Sequence, residues 1–185
     1  MFRRNFLKNS IIGSLSASTI MSLTNKNNPI VKSVPRIIST WKHGVNANKI
    51  AWKKLNNGEG GLTAVEYGVR DSENNPNERS VGYGGLPDRE GKVTLDACIM
   101  DSNNDCGSVS FLENIKNPIS VARLVMEKTP HIMLSGKGAY DFAIENGFKS
   151  ENLLTEQSKK DWENWLKKSE YKPIINIENH DTISM

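Results

Sequence analysis

Apolar residues recur along this chain at two spacings, and the changes between them mark out its elements. Val31 to Thr40 is rich in β-branched residues and punctuated by Pro35, which predicts an opening strand ending at Trp41. From Val45 to Leu55, Ile50, Ala51, Trp52 and Leu55 fall near helical spacing until Asn57-Gly58 ends the run. A second helix is expected from about Leu62 to Ser72, with Ala64, Val65, Gly68 and Val69 on one side, followed by a turn at Asn74–Asn77. Gly82, Gly84, Gly85 and Pro87 make a loop of residues 81–91. The period then shortens: Val93–Met100 and Cys106–Phe111 read as strands joined by the hairpin-type run Asp101-Ser102-Asn103-Asn104-Asp105.

Pro118 suits the first position of a helix through about Lys128. His131–Leu134 predicts a short strand, and Gly138–Asn146 a helix closed by Gly147. Thr155, with Ser158 three residues on, opens a helix over Glu156–Lys168 that puts Trp162, Trp165 and Leu166 on one face. Pro173–Ile177 is the last expected strand, leading to Glu178-Asn179-His180-Asp181-Thr182. Helix and strand alternate, so the fold class is α/β.

Length and composition narrow this without changing it. The chain has 185 residues, 37% of them hydrophobic and 24% charged, which fits one globular domain and excludes coiled coil, collagen and a multi-pass membrane protein. The net charge of +3 is uneven: residues 1–28 hold Arg3, Arg4, Lys8 and Lys26 and no acid, leaving 20 basic against 21 acidic residues in the rest. No basic stripe remains to bind nucleic acid.

Those first residues read as an address. A cationic start to Lys8 precedes a weakly apolar run, Ile11–Leu23, that at ~1.5 Å per residue is too short for a ~30 Å hydrocarbon core. This predicts an export signal over 1–28 with a neck at Asn25–Pro29, and no stable membrane span. Arg3-Arg4-Asn5-Phe6-Leu7-Lys8 resembles a twin-arginine signal, with Phe2 where a polar residue is usual, which implies a periplasmic destination.

Several candidates for chemistry have plain structural readings. Cys98 and Cys106 sit across the expected hairpin, and a disulfide between them needs one particular register. His43, His131 and His180 show no metal-ligand spacing. The Gly82-Tyr83-Gly84-Gly85 loop lacks the lysine of a P-loop and the third glycine of a dinucleotide turn, so it reads as a tight turn bringing backbone close to a neighbour. Trp162 and Trp165 read as packing residues. His180-Asp181-Thr182 is more telling. A threonine hydroxyl is a weak nucleophile unless a base takes its proton, and an α-amine on the same residue, with a pKa of ~7.7–8.0, can do so near neutrality. That amine must first be freed, which the hydroxyl can achieve by attacking the preceding carbonyl, with Asp181 beside the bond for proton traffic.

The segment Ile175–Ile183 resembles the processing site of the glycosylasparaginases, which are N-terminal nucleophile hydrolases. Ser39-Thr40-Trp41, Glu78 to Gly85 continuing through Pro87-Asp88-Arg89, Val93–Ala97 and Ile115–Arg123 carry the same resemblance in the same order. It implies a four-layer αββα sandwich made as one precursor that cuts itself between Asp181 and Thr182. Residues 29–181 would be the α-chain part and 182–185 the start of the β-chain part. It further implies hydrolysis of the amide joining N-acetylglucosamine to asparagine, without cofactor or metal. Thr182 would be nucleophile and base, His180 and Asp181 would flank the scissile bond, Trp41 would line the substrate pocket and Ser80 would lie close to the nucleophile.

The pattern is departed from at Ser184, where the family usually has glycine, and at His43, where an aromatic residue is common. The resemblance also places a long β-chain part after Met185. The isolated chain is therefore expected to be inactive without that partner, or alternatively to be a truncated remnant or an exported binding fragment. Isoaspartyl peptidase or plant-type asparaginase activity is the alternative within the same fold.

Overall fold

The computed structural model of the protein describes residues 34–168 and 182–185. The expected export signal and neck, the strand Pro173–Ile177, and both His180 and Asp181 lie outside the described residues. Backbone contacts separate two units, Met1–Arg36 and Ile37–Met185. Of the first, only Val34–Arg36 are described, without regular structure. The second carries every element below, and among the described residues no helix is long and apolar enough to cross a membrane.

Helices α1 (Gly44–Asn56) and α2 (Gly61–Asn74) form the first pair. Their contact is made by small residues, with Ala47, Ala51, Ala64 and Gly68 buried. A Cβ at Gly68 would stand 2.9 Å from the Ala47 carbonyl oxygen, so the two backbones approach as closely as glycine permits. At the exposed end of the pair the Lys54 ammonium lies 3.7 Å from the Tyr67 ring centre, a cation–π contact. Asn57 caps α1, and Gly58 takes the left-handed φ of 82° that stops it.

Strands β1 (Thr94–Met100) and β2 (Cys106–Glu113) are an antiparallel hairpin, closed by Asp101, whose carboxylate accepts the N–H groups of Asn103 and Asp105. Helix α3 (Pro118–Lys128) returns across them to β3 (Met133–Ser135), which runs parallel to β2, giving the order β1-β2-β3. Helix α3 presses on β2 at Gly107, where a Cβ would stand 2.2 Å from the Ala122 carbonyl oxygen. Helices α4 (Gly136–Glu145) and α5 (Glu156–Lys168) complete an α/β arrangement. The main core gathers Ile99, Val109, Leu112, Ile119, Val121, Val125, Ala139 and Ala143. A smaller cluster, Val93, Leu95 and Leu153, lies under the glycine loop with Tyr83.

Two expectations need correction, and the state of the cysteine pair, left open by the sequence, is seen. Residues 34–40 of the expected opening strand form no strand, because a β-branched pattern becomes one only where a ladder is available. Among the described residues Thr40 makes one backbone bond, from its N–H to the Ser184 carbonyl (2.9 Å), and Trp41 turns away with φ 61°. Cys98 and Cys106 are free thiols, since the register sets Cys98 opposite Ser108 and Cys106 opposite Met100. On α5, Trp162 is half-buried and donates its indole N–H to the Arg89 carbonyl (3.3 Å), whereas Trp165 is exposed and is not a core residue.

Candidate functional site

The four residues from Thr182 to Met185 are placed by alternation. Thr182 and Ser184 are exposed, whereas Ile183 is buried in the main core and the Met185 side chain lies over Gly68. A Cβ at Gly68 would come 2.7 Å from the Met185 methyl, so the helix glycine is also the seat of this terminal side chain. Ser184 exchanges two hydrogen bonds with Thr40: its carbonyl accepts the Thr40 N–H, and its own N–H goes to the Thr40 hydroxyl oxygen, both 2.9 Å. The core thus grips Ile183 and holds the exposed Thr182 beside the segment that carries Trp41.

That segment is a tight corner. Gly44 at the start of α1 leaves no room for a side chain, because a Cβ there would meet the Ser39 hydroxyl at 2.3 Å. Between them Trp41 adopts its left-handed conformation and stays 40% exposed, an arrangement of uncommon cost for a bulky residue. Two residues further on, His43 is sealed in, its side chain 6% exposed, with Nδ1 2.8 Å from a Glu78 carboxylate oxygen. Its Nε2 is buried without a hydrogen-bond partner among the described residues.

Glu78 opens the loop that carries Ser80. The loop is pinned by Asn75, whose side-chain carbonyl accepts the Asn77 N–H (3.1 Å), by the Leu86 N–H donated to the Arg79 carbonyl (2.8 Å), and by an ion pair of Arg79 with Asp161 on α5. The glycines behind it answer what the tight turn approaches. Gly82, at φ 57°, has the Glu73 carbonyl oxygen where a Cβ would be, at 2.1 Å, and Tyr83 donates its N–H to the same carbonyl (2.7 Å). Buried Ser158 of α5 donates to the Gly84 carbonyl (2.5 Å).

Behind these loops lies a buried polar hub. The Glu73 carboxylate accepts the Ile119 N–H and an Asn117 amide N–H, both at 3.0 Å, and so caps α3 from another helix in the absence of any cap bond from the Asn117 side chain. Burial pushes the Glu73 carboxyl up to about 8, against the lowering effect of those two donors. Two turns earlier on α2, Glu66 accepts the Ser120 hydroxyl (2.5 Å) and the Arg123 guanidinium (2.8 Å). Burial works against the Arg123 charge, yet Glu127 and Glu66 hold that guanidinium above its ordinary value.

Of the predicted site residues, the segments carrying Thr182 and Trp41 are tied by the Thr40–Ser184 exchange, and those carrying Trp41 and Ser80 by the His43–Glu78 contact. His180 and Asp181 lie outside the described residues. His43 was read only as a departure from the aromatic pattern. Its partner Glu78, although first in a recognised motif, gave no signal of which residue it would meet 35 positions away. Among the described residues no three His, Cys, Asp or Glu side chains converge as a metal ion would need. A cavity of about 310 Å³ beside the end of β2 and the start of α4, lined by Phe111, Glu113, Lys137 and Tyr140 among others, includes none of the predicted site residues.

A family model described as asparaginase matches residues 17–183. An N(4)-(beta-N-acetylglucosaminyl)-L-asparaginase of Elizabethkingia miricola is 58% identical over 99% of this chain and 55% of its own length. A protein of the same name from Rattus norvegicus is 41% identical over 80% of this chain and 41% of its own. The chain spans about half the length of the curated relatives it matches.

Proposed function

This chain belongs to the asparaginase family, and we propose that it is the N-terminal part of a glycosylasparaginase, an amide hydrolase whose nucleophile is Thr182. The observation that carries this reading is the placement of Thr182. It stands exposed between the core-anchored Ile183 and the region of His180 and Asp181, and its neighbour Ser184 is bonded next to Trp41. A hydroxyl there needs rigid support on one side and access on the other, and this arrangement supplies both.

The chemistry follows in two stages. The Thr182 hydroxyl attacks the Asp181 carbonyl, the C–N bond breaks in favour of an ester C–O bond, and the nitrogen leaves as an amine. Water hydrolyses the ester, freeing the Asp181 carboxylate and restoring the hydroxyl. The new α-amine then takes the hydroxyl proton as the oxygen attacks the side-chain amide of a glycosylated asparagine, the sugar amine departs with a proton, and water releases aspartate. The base belongs to the nucleophile itself, so no cofactor enters. Trp41 lines the substrate pocket in this reading and Ser80 supports the nucleophile.

The remaining half of the fold is the β-chain part of the same precursor. The outer face of the sheet supports this. Cys98, Met100, Phe111 and Met133 are exposed there, while α3 covers the opposite face, as expected of the inner surface of an αββα sandwich awaiting its second sheet. Residues 1–28 serve as an export signal to the periplasm.

The test joins residues 1–185 to the C-terminal remainder of the Elizabethkingia miricola relative. Intact mass should show cleavage between Asp181 and Thr182, followed by release of aspartate from N-acetylglucosaminyl-asparagine. Thr182→Ala should leave the chain whole and lower turnover at least ~10⁴-fold. An uncut and inert joined protein, or one selective for isoaspartyl dipeptides, would overturn the reading.

A further inference from the structure

We propose that His43, through Glu78, is a positioning residue that fixes the Trp41 corner against the Ser80 loop. The proposal takes from the reading above what Trp41 and Ser80 do, but the contact itself stands independently of it.

The end of the 39–44 corner is held to α1 by the Asn46 and Ala47 N–H groups donated to the His43 carbonyl (3.0 and 3.3 Å). Trp41 sits at φ 61°, a conformation a bulky side chain keeps only when its surroundings impose it. On one flank Thr40 is tied to Ser184; on the other, the side-chain tie given to the corner is His43 Nδ1 to Glu78 Oε2 at 2.8 Å. Glu78 is itself oriented, with Asn75 Nδ2 3.5 Å from Oε1 and the Val81 N–H turned onto the Glu78 carbonyl (3.3 Å). A carboxylate accepts only, so Nδ1 carries the proton it donates, and Nε2 is the acceptor when the ring is neutral. That Nε2 is buried and has no hydrogen-bond partner among the described residues, which costs stability.

A purely structural residue at this position would do better as an aromatic hydrocarbon, filling the same volume without an orphaned nitrogen. Histidine keeps the orphan and gains the one thing phenylalanine lacks, a directional bond to the loop of Ser80. The two roles therefore separate. If His43 only fills space, His43→Phe leaves Trp41 and its neighbours unchanged. If it positions, the same variant keeps its stability and loses the corner.

The 185-residue chain labelled with 5-fluorotryptophan gives the first readout, with the Trp41 signal assigned by Trp41→Phe. In His43→Phe and in Glu78→Ala the Trp41 resonance should shift and broaden while those of Trp52, Trp162 and Trp165 stay, and the double variant should add nothing to either single one. His43→Gln, which can still donate to Glu78, should restore the signal. In the joined protein described above, His43→Phe should raise KM about tenfold with kcat within about twofold and cleavage before Thr182 unaffected. An unmoved Trp41 resonance in both single variants, or movement of all four signals together, would overturn the proposal. So would equal losses in kcat and cleavage. An inert joined wild type would sink the functional reading alone, since the fluorine spectra of the 185-residue chain would still decide the positioning role.

Discussion

The Glu73 hub and the Thr182–Met185 tail are both places where distant parts of the chain meet, and they are held in opposite ways. At the hub, one buried carboxyl binds Ile119 and Asn117 while the same residue's carbonyl binds Tyr83, so α2, α3 and the glycine loop share one buried joint. Nothing there can move without stranding a buried polar group. The contacts of the tail include one buried side chain, Ile183, one methionine over Gly68, and two hydrogen bonds between Ser184 and Thr40, with Thr182 exposed. The hub is costly to break; the tail is anchored in the core by Ile183 and carries Thr182, the proposed nucleophile. Rigid support is thus densest at the scaffold joint, and beside the proposed nucleophile it comes from the core-anchored Ile183.

The contrast breaks most visibly at Gly82. Gly82→Ala forces a side chain into φ 57° and places its Cβ 2.1 Å from the Glu73 carbonyl oxygen, which neither backbone can relieve without dismantling the joint. The expected loss is about 4 kcal/mol, combining ~1–2 for the left-handed conformation with ~1–3 for overpacking, read as a fall in the urea midpoint. An unchanged midpoint would mean the joint is looser than its distances.

The next effect is pH-dependent. The folded Glu73 carboxyl keeps its proton up to about 8, whereas in the unfolded chain it titrates near 4.5. The folded state therefore binds more protons across that window, and stability falls as pH rises through it. The contribution is complete below about 4.5 and gone above about 8. Glu73→Gln, which cannot ionise, should flatten the decline between pH 5 and 8 by on the order of 3 kcal/mol, measured as melting temperature against pH in both proteins. Parallel curves would show that Glu73 is already ionised in its joint.

How much of this could be read beforehand follows the same division. The hairpin, the start of α3 at Pro118 and the stops at Gly58 and Gly147 were legible because their signals are local: a turn sequence, a missing N–H, a residue free to take positive φ. Thr182 stands out by its chemistry and by a motif, Trp41 and Ser80 by motifs alone, and the folded chain adds how their neighbours meet. Glu73 was not legible, since a glutamate at the end of an amphipathic helix reads as solvated until Ile119, 46 positions away, is seen to lack a cap. Residues 34–40 misled for the converse reason. Their β-branched pattern suits a strand, but the pairing on hand is two bonds to Ser184, and Trp41 bends off before a ladder can grow.

Smaller perturbations sharpen the comparison from the tail's side. Ile183→Ala removes buried side-chain volume worth ~2–3 kcal/mol in a core, but the tail can open without the rest. Hydrogen exchange should therefore show the Thr40 amide losing most of its protection while the global midpoint moves by less than ~1 kcal/mol. A full shift of the midpoint would make the tail part of the same cooperative unit as the hub.

The finest probe is Thr40→Val, which keeps the shape of the side chain and removes only the oxygen that accepts the Ser184 N–H. Because Ser184 is exposed, its amide turns to water when that oxygen is gone, so the cost is that of one solvent-accessible hydrogen bond, ~0.5–1 kcal/mol, and not the larger penalty of a buried orphan. The reciprocal bond, from the Thr40 N–H to the Ser184 carbonyl, survives in the variant. Exchange of the Ser184 amide should accelerate about two- to fivefold, with amides of the β1–β2 ladder unchanged, and Thr40→Ser should match the parent because it keeps the acceptor. Were Thr40→Val silent, the backbone bond and Ile183 would suffice to place the tail.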